Sequence, residues 1–223
     1  MGADRPVLGL AGWAVSPLAI DYAWTHPDPA QIVATGYQYV LRYLSNDASK
    51  DLTEGEALAL FAAGILGICP VGETTATRAL EGSGAGQTDA TNWTARMAAM
   101  GMPPGTTLFM AVDTDTSWAS VAPYFAGGVG AQGAYDVRPY GGIKIIDGFA
   151  ADYGKPSWQT VAWSGGRVSS NAAIYQRISP TLPPIPGAGG GYDEDEVILP
   201  INWWTTHPAP SHARPELWSL TLS

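Results

Sequence analysis

Along the first half of the chain, short apolar runs alternate with stretches whose apolar residues recur at helical spacing, which predicts parallel strands joined by crossover helices. A first strand is expected at Leu18–Tyr22. It leads through His26-Pro27-Asp28-Pro29 into a short helix, with Asp28 or Pro29 suited to its first turn and Gly36 to its end. Tyr39–Leu44 is rich in β-formers, and Thr53 with Glu56 behind it makes a capping box that opens a helix toward Gly64. Ile65–Val71 is almost continuously apolar, as strands covered on both faces are, and it ends at Gly72-Glu73-Thr74-Thr75.

Gly82-Ser83-Gly84-Ala85-Gly86 reads as a flexible loop before a helix from about Thr88 to Met100, stopped by Gly101 and Pro103. A fourth buried strand, Thr107–Val112, runs into Asp113-Thr114-Asp115. A helix from Ser117 through Phe125 and a Gly-rich loop follow it. Weaker strand patterns lie at Val137–Tyr140, Trp158–Ala162, Ala172–Gln176 and Glu196–Leu199, and the Pro- and Gly-rich Ser179–Gly191 is a loop. The fold class is therefore α/β, a (β/α)8 TIM-like barrel with irregular last strands. Residues 18–200 are assigned to the barrel, 1–17 to an N-terminal extension and 201–223 to a tail. That tail carries Trp203, Trp204 and Trp218, which either pack under the barrel, the favoured reading, or meet another chain.

Composition sharpens this picture. Apolar residues make up 46% and charged residues only 14% of the 223 residues, which excludes a disordered chain and supports one large core. Twenty acidic against eleven basic residues leave no source of clustered positive charge, so nucleic acid is not an expected partner. The single Cys69 sits in an apolar run and reads as a buried small hydrophobe. No run approaches the roughly 20 apolar residues of a membrane span. Val7–Ile20 is apolar behind Arg5, but Gly9, Gly12, Pro17 and the lack of a small-residue cleavage site make it a poor signal peptide.

In a parallel barrel, the loops at the carboxyl ends of the strands converge on one face. Asp21, Glu73, Asp113 and Asp115 fall at such ends, and Asp193 and Asp195 precede the last strand. Crowded carboxylates repel, so one should hold its proton near neutrality while another stays ionised, as glycosidic bond cleavage requires. Glu73 or Asp115 is the expected proton donor, and Asp21 or Asp113 the base or electrostatic stabiliser. The bland alternative for any one of them is a helix cap or a turn acceptor. Trp24, Tyr140, Trp158 and Trp163 offer flat faces to sugars, and Arg42 and Gln159 offer hydrogen-bond donors, although nine tryptophans in one chain must mostly be packing.

Other chemistry finds little support. Asp113-x-Asp115 loosely matches a phosphatase nucleophile motif or a divalent-metal pair, but no companion elements or phosphate-cradling loop accompany it. Gly82-x-Gly84-x-Gly86 misses the dinucleotide spacing, and Ser164-Gly165-Gly166 is not a nucleophile elbow. His26, His207 and His212 lie in loops without metal-ligand spacing, so no metal or cofactor is expected.

The succession Ile20-Asp21-Tyr22-Ala23-Trp24, Arg42-Tyr43-Leu44-Ser45, Glu73-Thr74-Thr75, Met100-Gly101-Met102-Pro103, Ala111-Val112-Asp113-x-Asp115, Trp158-Gln159-Thr160 and Tyr175-Gln176 resembles the glycoside-hydrolase-like domain of unknown function found in actinobacteria and their phages. That family is distantly similar to the family-25 lysozymes. The resemblance implies a cell-wall polysaccharide, such as peptidoglycan, as substrate, and phage virion proteins as further partners. It also implies a place in the phage virion, or in the host cytoplasm before release to the wall. Family-25 lysozymes carry Asp-x-Glu at the fourth strand, whereas Asp113-x-Asp115 is one methylene shorter at the donor position. The alternative is a catalytically inactive glycan-binding or structural module of a phage tail or cell surface.

Overall fold

A computed structural model describes residues 16–177, 185 and 191–205. The residues before Ser16, most of the Ser179–Gly191 loop, His207, His212 and Trp218 lie outside them. In chain order the elements are β1 (Leu18–Tyr22), α1 (Pro29–Ala34), β2 (Tyr39–Ser45), α2 (Glu54–Ala63), β3 (Gly67–Glu73), a 3-10 turn (Arg78–Glu81), α3 (Ser83–Ala99) and β4 (Thr107–Ala111). They continue with α4 (Trp118–Gly130), β5 (Asp136–Gly141), α5 (Ile143–Tyr153), β6 (Ser157–Thr160), β7 (Ala172–Arg177) and β8 (Tyr192–Val197). The strands close into one barrel in chain order. Neighbours are parallel from β1 through β7, and β8 runs antiparallel to both β7 and β1.

The expected barrel forms, with this reversal at its seam. Among the described residues no helix follows β6 or β7; the β6–β7 connection still returns the chain, so that those strands are parallel, whereas β8 pairs with β7 in the opposite direction. The last strand was expected at Glu196–Leu199. It lies earlier because Tyr192–Val197 pairs on both edges, and two complete ladders outweigh the poor strand propensity of Asp193-Glu194-Asp195.

Period-two alternation divides the core. Inside the barrel, Ala19, Leu41, Cys69, Val71, Phe109 and Trp158 pack together, and Ile201 joins them from the chain after β8. The outward-facing Ile20, Val40, Leu44 and Ile68 meet Leu60, Trp93, Phe125 and Phe149 in the layer shared with the helices. Cys69 is buried, as expected. After β8 the chain crosses the amino-terminal end of the barrel, where Ile68 N donates to Trp204 O at 3.0 Å and Thr107 N to Asn202 O at 2.8 Å. Trp203 lies against Tyr39 with ring centroids 4.4 Å apart, so the described part of the tail packs under the barrel.

Local signals set several helix starts. Asp28 Oδ1 accepts from Ala30 N at 2.9 Å, Thr53 Oγ1 from Glu56 N at 3.1 Å and Ser117 Oγ from Ser120 N at 3.3 Å. The glycine-rich segments depart from expectation. α3 begins at Ser83 rather than Thr88, and α4 runs through Gly127 and Gly128 where a loop was expected. The two helices touch backbone to backbone: a Cβ on Gly86 would sit 1.8 Å from Tyr124 O, and one on Gly127 would sit 2.0 Å from Ser83 O. Glycine is here a contact surface, and tertiary packing overrides its low helix propensity.

Gly86→Ala is therefore expected to destabilise the protein by about 2 kcal/mol or more, through backbone displacement. Gly84→Ala, with nothing within 4 Å of its added Cβ, should gain about 0.5–1 kcal/mol. Thermal unfolding of the two variants beside wild type checks both signs.

Candidate active site

The mouth of the barrel is built from strand ends. Asp21 sits one residue from the end of β1 and faces inward with its register partner Leu41, while Glu73 closes β3 and Asp113 follows β4. Because β8 is antiparallel, its amino-terminal residues arrive at this same end, and Asp193 stands opposite Asp21 in register. A parallel eighth strand would have presented its carboxyl end instead.

Two adjoining cavities open here. One of about 370 Å³ is bounded by Tyr43, Glu73, Asp113, Tyr140, Trp158, Gln176 and Asp193 among others. The other, of about 320 Å³, is bounded by Asp21, Trp24, Tyr43, Lys50, Glu73, Asp113 and Asp193. They share Tyr43, Glu73, Asp113 and Asp193, and Asp21 borders the second, so acids from four strand ends meet at one mouth.

The floor is a buried carboxyl cluster. Asp21 is 3% exposed and Asp195 wholly buried. Gln176 Nε2 donates to Asp21 Oδ2 at 2.9 Å and Tyr43 OH to Asp21 Oδ1 at 3.2 Å; Tyr140 OH donates to Gln176 Oε1 at 2.7 Å, fixing the amide. Trp158 Nε1 donates to Asp195 Oδ1 at 2.8 Å, and the Asp21 and Asp195 carboxyls bond to each other, one of them carrying the proton. Burial, and then the charge of Asp193, push the Asp21 carboxyl up to about 7 despite the bonds it accepts. Burial and the neighbouring Asp21 hold Asp195 well above the usual carboxylate range, and burial raises Asp193 as well. Asp113 is exposed, lines both cavities and makes no hydrogen bond within the described residues.

Other expected site residues are placed differently. Glu73 lines the mouth, but its Oε2 accepts from Lys50 Nζ at 2.8 Å. Asp115 does not join the cluster: its side chain is 58% exposed and pairs with Lys144 at 3.1 Å outside both cavities. Having left the strand, the chain no longer alternates, and two residues past Asp113 it has turned to solvent. Trp24 is 65% exposed on the rim, with Lys50 Nζ 4.3 Å from its ring centroid and Nε1 donating to Asp47. Tyr140 lies in the wall against Trp158, centroids 4.4 Å apart. Trp163 borders neither cavity and holds a left-handed backbone at φ 56° in the β6–β7 connection.

Arg42 and Gln159 are corrections. Both occupy outward-facing strand positions. Arg42 is wholly buried behind β2, where Nε and Nη2 donate to Glu56 at 2.7 and 3.1 Å and Nη1 to Tyr22 O at 2.6 Å. Burial opposes the charge of Glu56, but its bonds from Arg42 outweigh this and hold the carboxyl below its ordinary value. The expected capping-box glutamate thus serves an ion pair. Gln159 donates to Arg167 O at 2.7 Å and accepts from Ser169 N at 2.8 Å, pinning the β6–β7 connection instead of reaching a ligand. Tyr43, Lys50 and Gln176 were not singled out for the site. Tyr43 was within reach, since alternation from Leu41 turns it inward; Lys50 lies in a loop, where no periodicity points to it.

Among the described residues, no group of three or more His, Cys, Asp or Glu is arranged to hold a metal ion, and no helix is long and apolar enough to cross a membrane.

A glycoside-hydrolase-like barrel with an acidic mouth is what the fold and site define. Residues 30–211 match the Rv2525c-like, glycoside hydrolase-like domain family, and the chain belongs to it. The structure is similar to that of the Mycobacterium tuberculosis Tat-secreted protein Rv2525c in complex with L-tartrate, at 23% identity and TM-score 0.73 over 86% of this chain and 100% of that one. It is also similar to the Streptomyces coelicolor lysozyme (14%, TM-score 0.53, 82% and 92%) and to a family 25 glycosyl hydrolase from Bacillus anthracis (9%, TM-score 0.52, 88% and 94%). No curated protein sequence matches the chain. The expectation of a protein of the phage virion or host cytoplasm is overturned by the first of these structures, whose protein is Tat-secreted.

Two outcomes follow. Since folding raises the Asp21 carboxyl from 3.8 to about 7, the folded chain keeps a proton that the unfolded chain releases. This contribution disfavours folding progressively as pH rises from about 4 to about 7, and Asp21→Asn should flatten the loss, measured by denaturant unfolding at both pH values. Arg42→Ala, which strands Glu56 without its partner, should cost about 3–5 kcal/mol in the same assay.

Proposed function

We propose that this protein acts on bacterial cell-wall polysaccharide, peptidoglycan or a related glycan, as an exported glycoside hydrolase. The observation that carries the reading is the gathering of Asp21, Glu73, Asp113 and Asp193 around one cavity. Hydrolysis needs two carboxyls with different environments, one of which still holds its proton; the buried Asp21, raised to about 7, holds it, and the exposed Asp113 is the second carboxyl of the same cavity. Asp21 is therefore assigned as proton donor and Asp113 as base or stabiliser of positive charge at the sugar ring, in place of a donor role for Glu73 or Asp115. Glu73, tied to Lys50, shapes the wall. Trp24 and Tyr140 supply sugar-facing surfaces, and Asp193 a hydrogen-bond acceptor. The lysozyme and glycosyl hydrolase among the similar structures support the substrate class, and the Tat-secreted one supports export.

A second reading, a binding domain without catalysis, draws on the exposed Asp115, which leaves the donor position of the family-25 pattern away from the cavity. Release of soluble fragments from purified cell walls separates the two. Hydrolysis predicts release by wild type, a fall of about 10²-fold or more in Asp21→Asn and Asp113→Asn, and near-wild-type release by Asp115→Asn. Co-sedimentation of wild type with walls and no release selects the binding domain.

A further inference from the structure

Beyond β3, on the far side of Glu73 from the mouth, lies a separate cavity of about 330 Å³ between the β2–α2 and β3–α3 connections, bounded by Asn46, Thr74, Arg78, Asn92, Trp93 and Arg96 among others. Its charged groups are already matched. Arg78 donates to Asp89 through Nε and Nη2, both at 2.8 Å, and to Glu81 through Nη1 at 2.6 Å. Arg96 pairs with Asp51 at 2.7 Å and donates to Ser45 O at 3.0 Å. The cavity therefore offers little to a free ion of either sign.

What the wall leaves unclaimed is polar and uncharged. Thr74 Oγ1 is buried with no hydrogen-bond partner, which costs free energy unless something bonds to it. The amides of Asn46 and Asn92 and the indole N–H of Trp93 also make no hydrogen bond within the described residues. Uncharged donors and acceptors are thus both present in a cleft whose charges are paired. The face of Trp93 is occupied by Gly72, where an added Cβ would lie 2.2 Å from the ring, so a purely apolar ligand gains little here.

We propose that this cavity is a second saccharide subsite, taking an uncharged hydroxyl- and amide-bearing sugar unit of the glycan whose neighbouring units occupy the mouth. It rests on the glycan reading above. Continuity carries it: Glu73 lines the mouth and the next residue, Thr74, lines this cavity, so one strand end borders both. The subsite extends recognition past the reacting units and favours longer chains.

The test titrates wild type, Thr74→Val and Asn92→Ala with a peptide-free peptidoglycan disaccharide and tetrasaccharide, by calorimetry, with thermal unfolding alongside. Thr74→Val removes an unpaired hydroxyl at constant shape and Asn92 is exposed on α3, so neither change should lower stability. The subsite predicts that wild type binds the tetrasaccharide more tightly than the disaccharide. Each variant should lose about five- to ten-fold for the tetrasaccharide alone. Unchanged tetrasaccharide affinity in both variants, or an equal loss for both sugars, overturns the subsite and leaves the mouth standing. Failure of wild type to bind either sugar overturns the glycan reading and the subsite with it.

Discussion

The antiparallel seam of the barrel is the constraint on which the rest depends. Because β8 enters at the carboxyl-terminal mouth, it lays Asp195 and Asp193 beside Asp21: Asp21 and Asp195 share a space that water hardly reaches, and Asp193 stands exposed at its edge. Two buried charges there would be costly, so the pair is stable only with a proton retained and hydrogen bonds supplied. Tyr43, Tyr140, Gln176 and Trp158 supply them from β2, β5, β7 and β6. The ring of donors is thus drawn from most of the barrel, and the acid at its centre is held by the fold as a whole.

Scaffold and site are separated by the alternation of the strands. Inward positions carry the carboxyls, the phenols and Trp158. Outward positions carry Arg42, whose ion pair with Glu56 ties β2 to α2, and Gln159, whose amide holds the β6–β7 connection. Farther out, the glycine contact between α3 and α4 sets how closely these helices approach behind β3 and β4. Substitutions in these outer layers act on stability; those on the inner face act on the chemistry of the mouth.

Much of this was legible from the residues. Apolar runs marked β1 to β4, whose strands are buried on both faces, and Asp28 and Thr53 announced their helices by first-turn and capping chemistry. The rule that carboxyl strand ends converge pointed to Asp21, Glu73, Asp113 and Asp115; the first three line the mouth, Asp115 turns away to Lys144, and Asp193 arrives there only because β8 is reversed. The reversal of β8 was not legible, because Asp193-Glu194-Asp195 carries no strand pattern of its own and is a strand only through two neighbours. α5 also passed unnoticed, although Ile143, Ile146 and Phe149 are spaced for one buried helical face. Arg42 and Gln159 were misread through residue type: both bear donors, but strict alternation from Leu41 and Trp158 turns them away from the cavity.

Asp21, buried beside Asp195, holds a proton near neutral pH. Carbon-13 NMR titration of the aspartate side-chain carboxyls, with Asp21→Asn to assign the resonance, measures it directly. A midpoint of about 7 for Asp21 is predicted, whereas a midpoint near 4, that of an ordinary solvated aspartate, would contradict a proton-holding acid at the floor of the mouth.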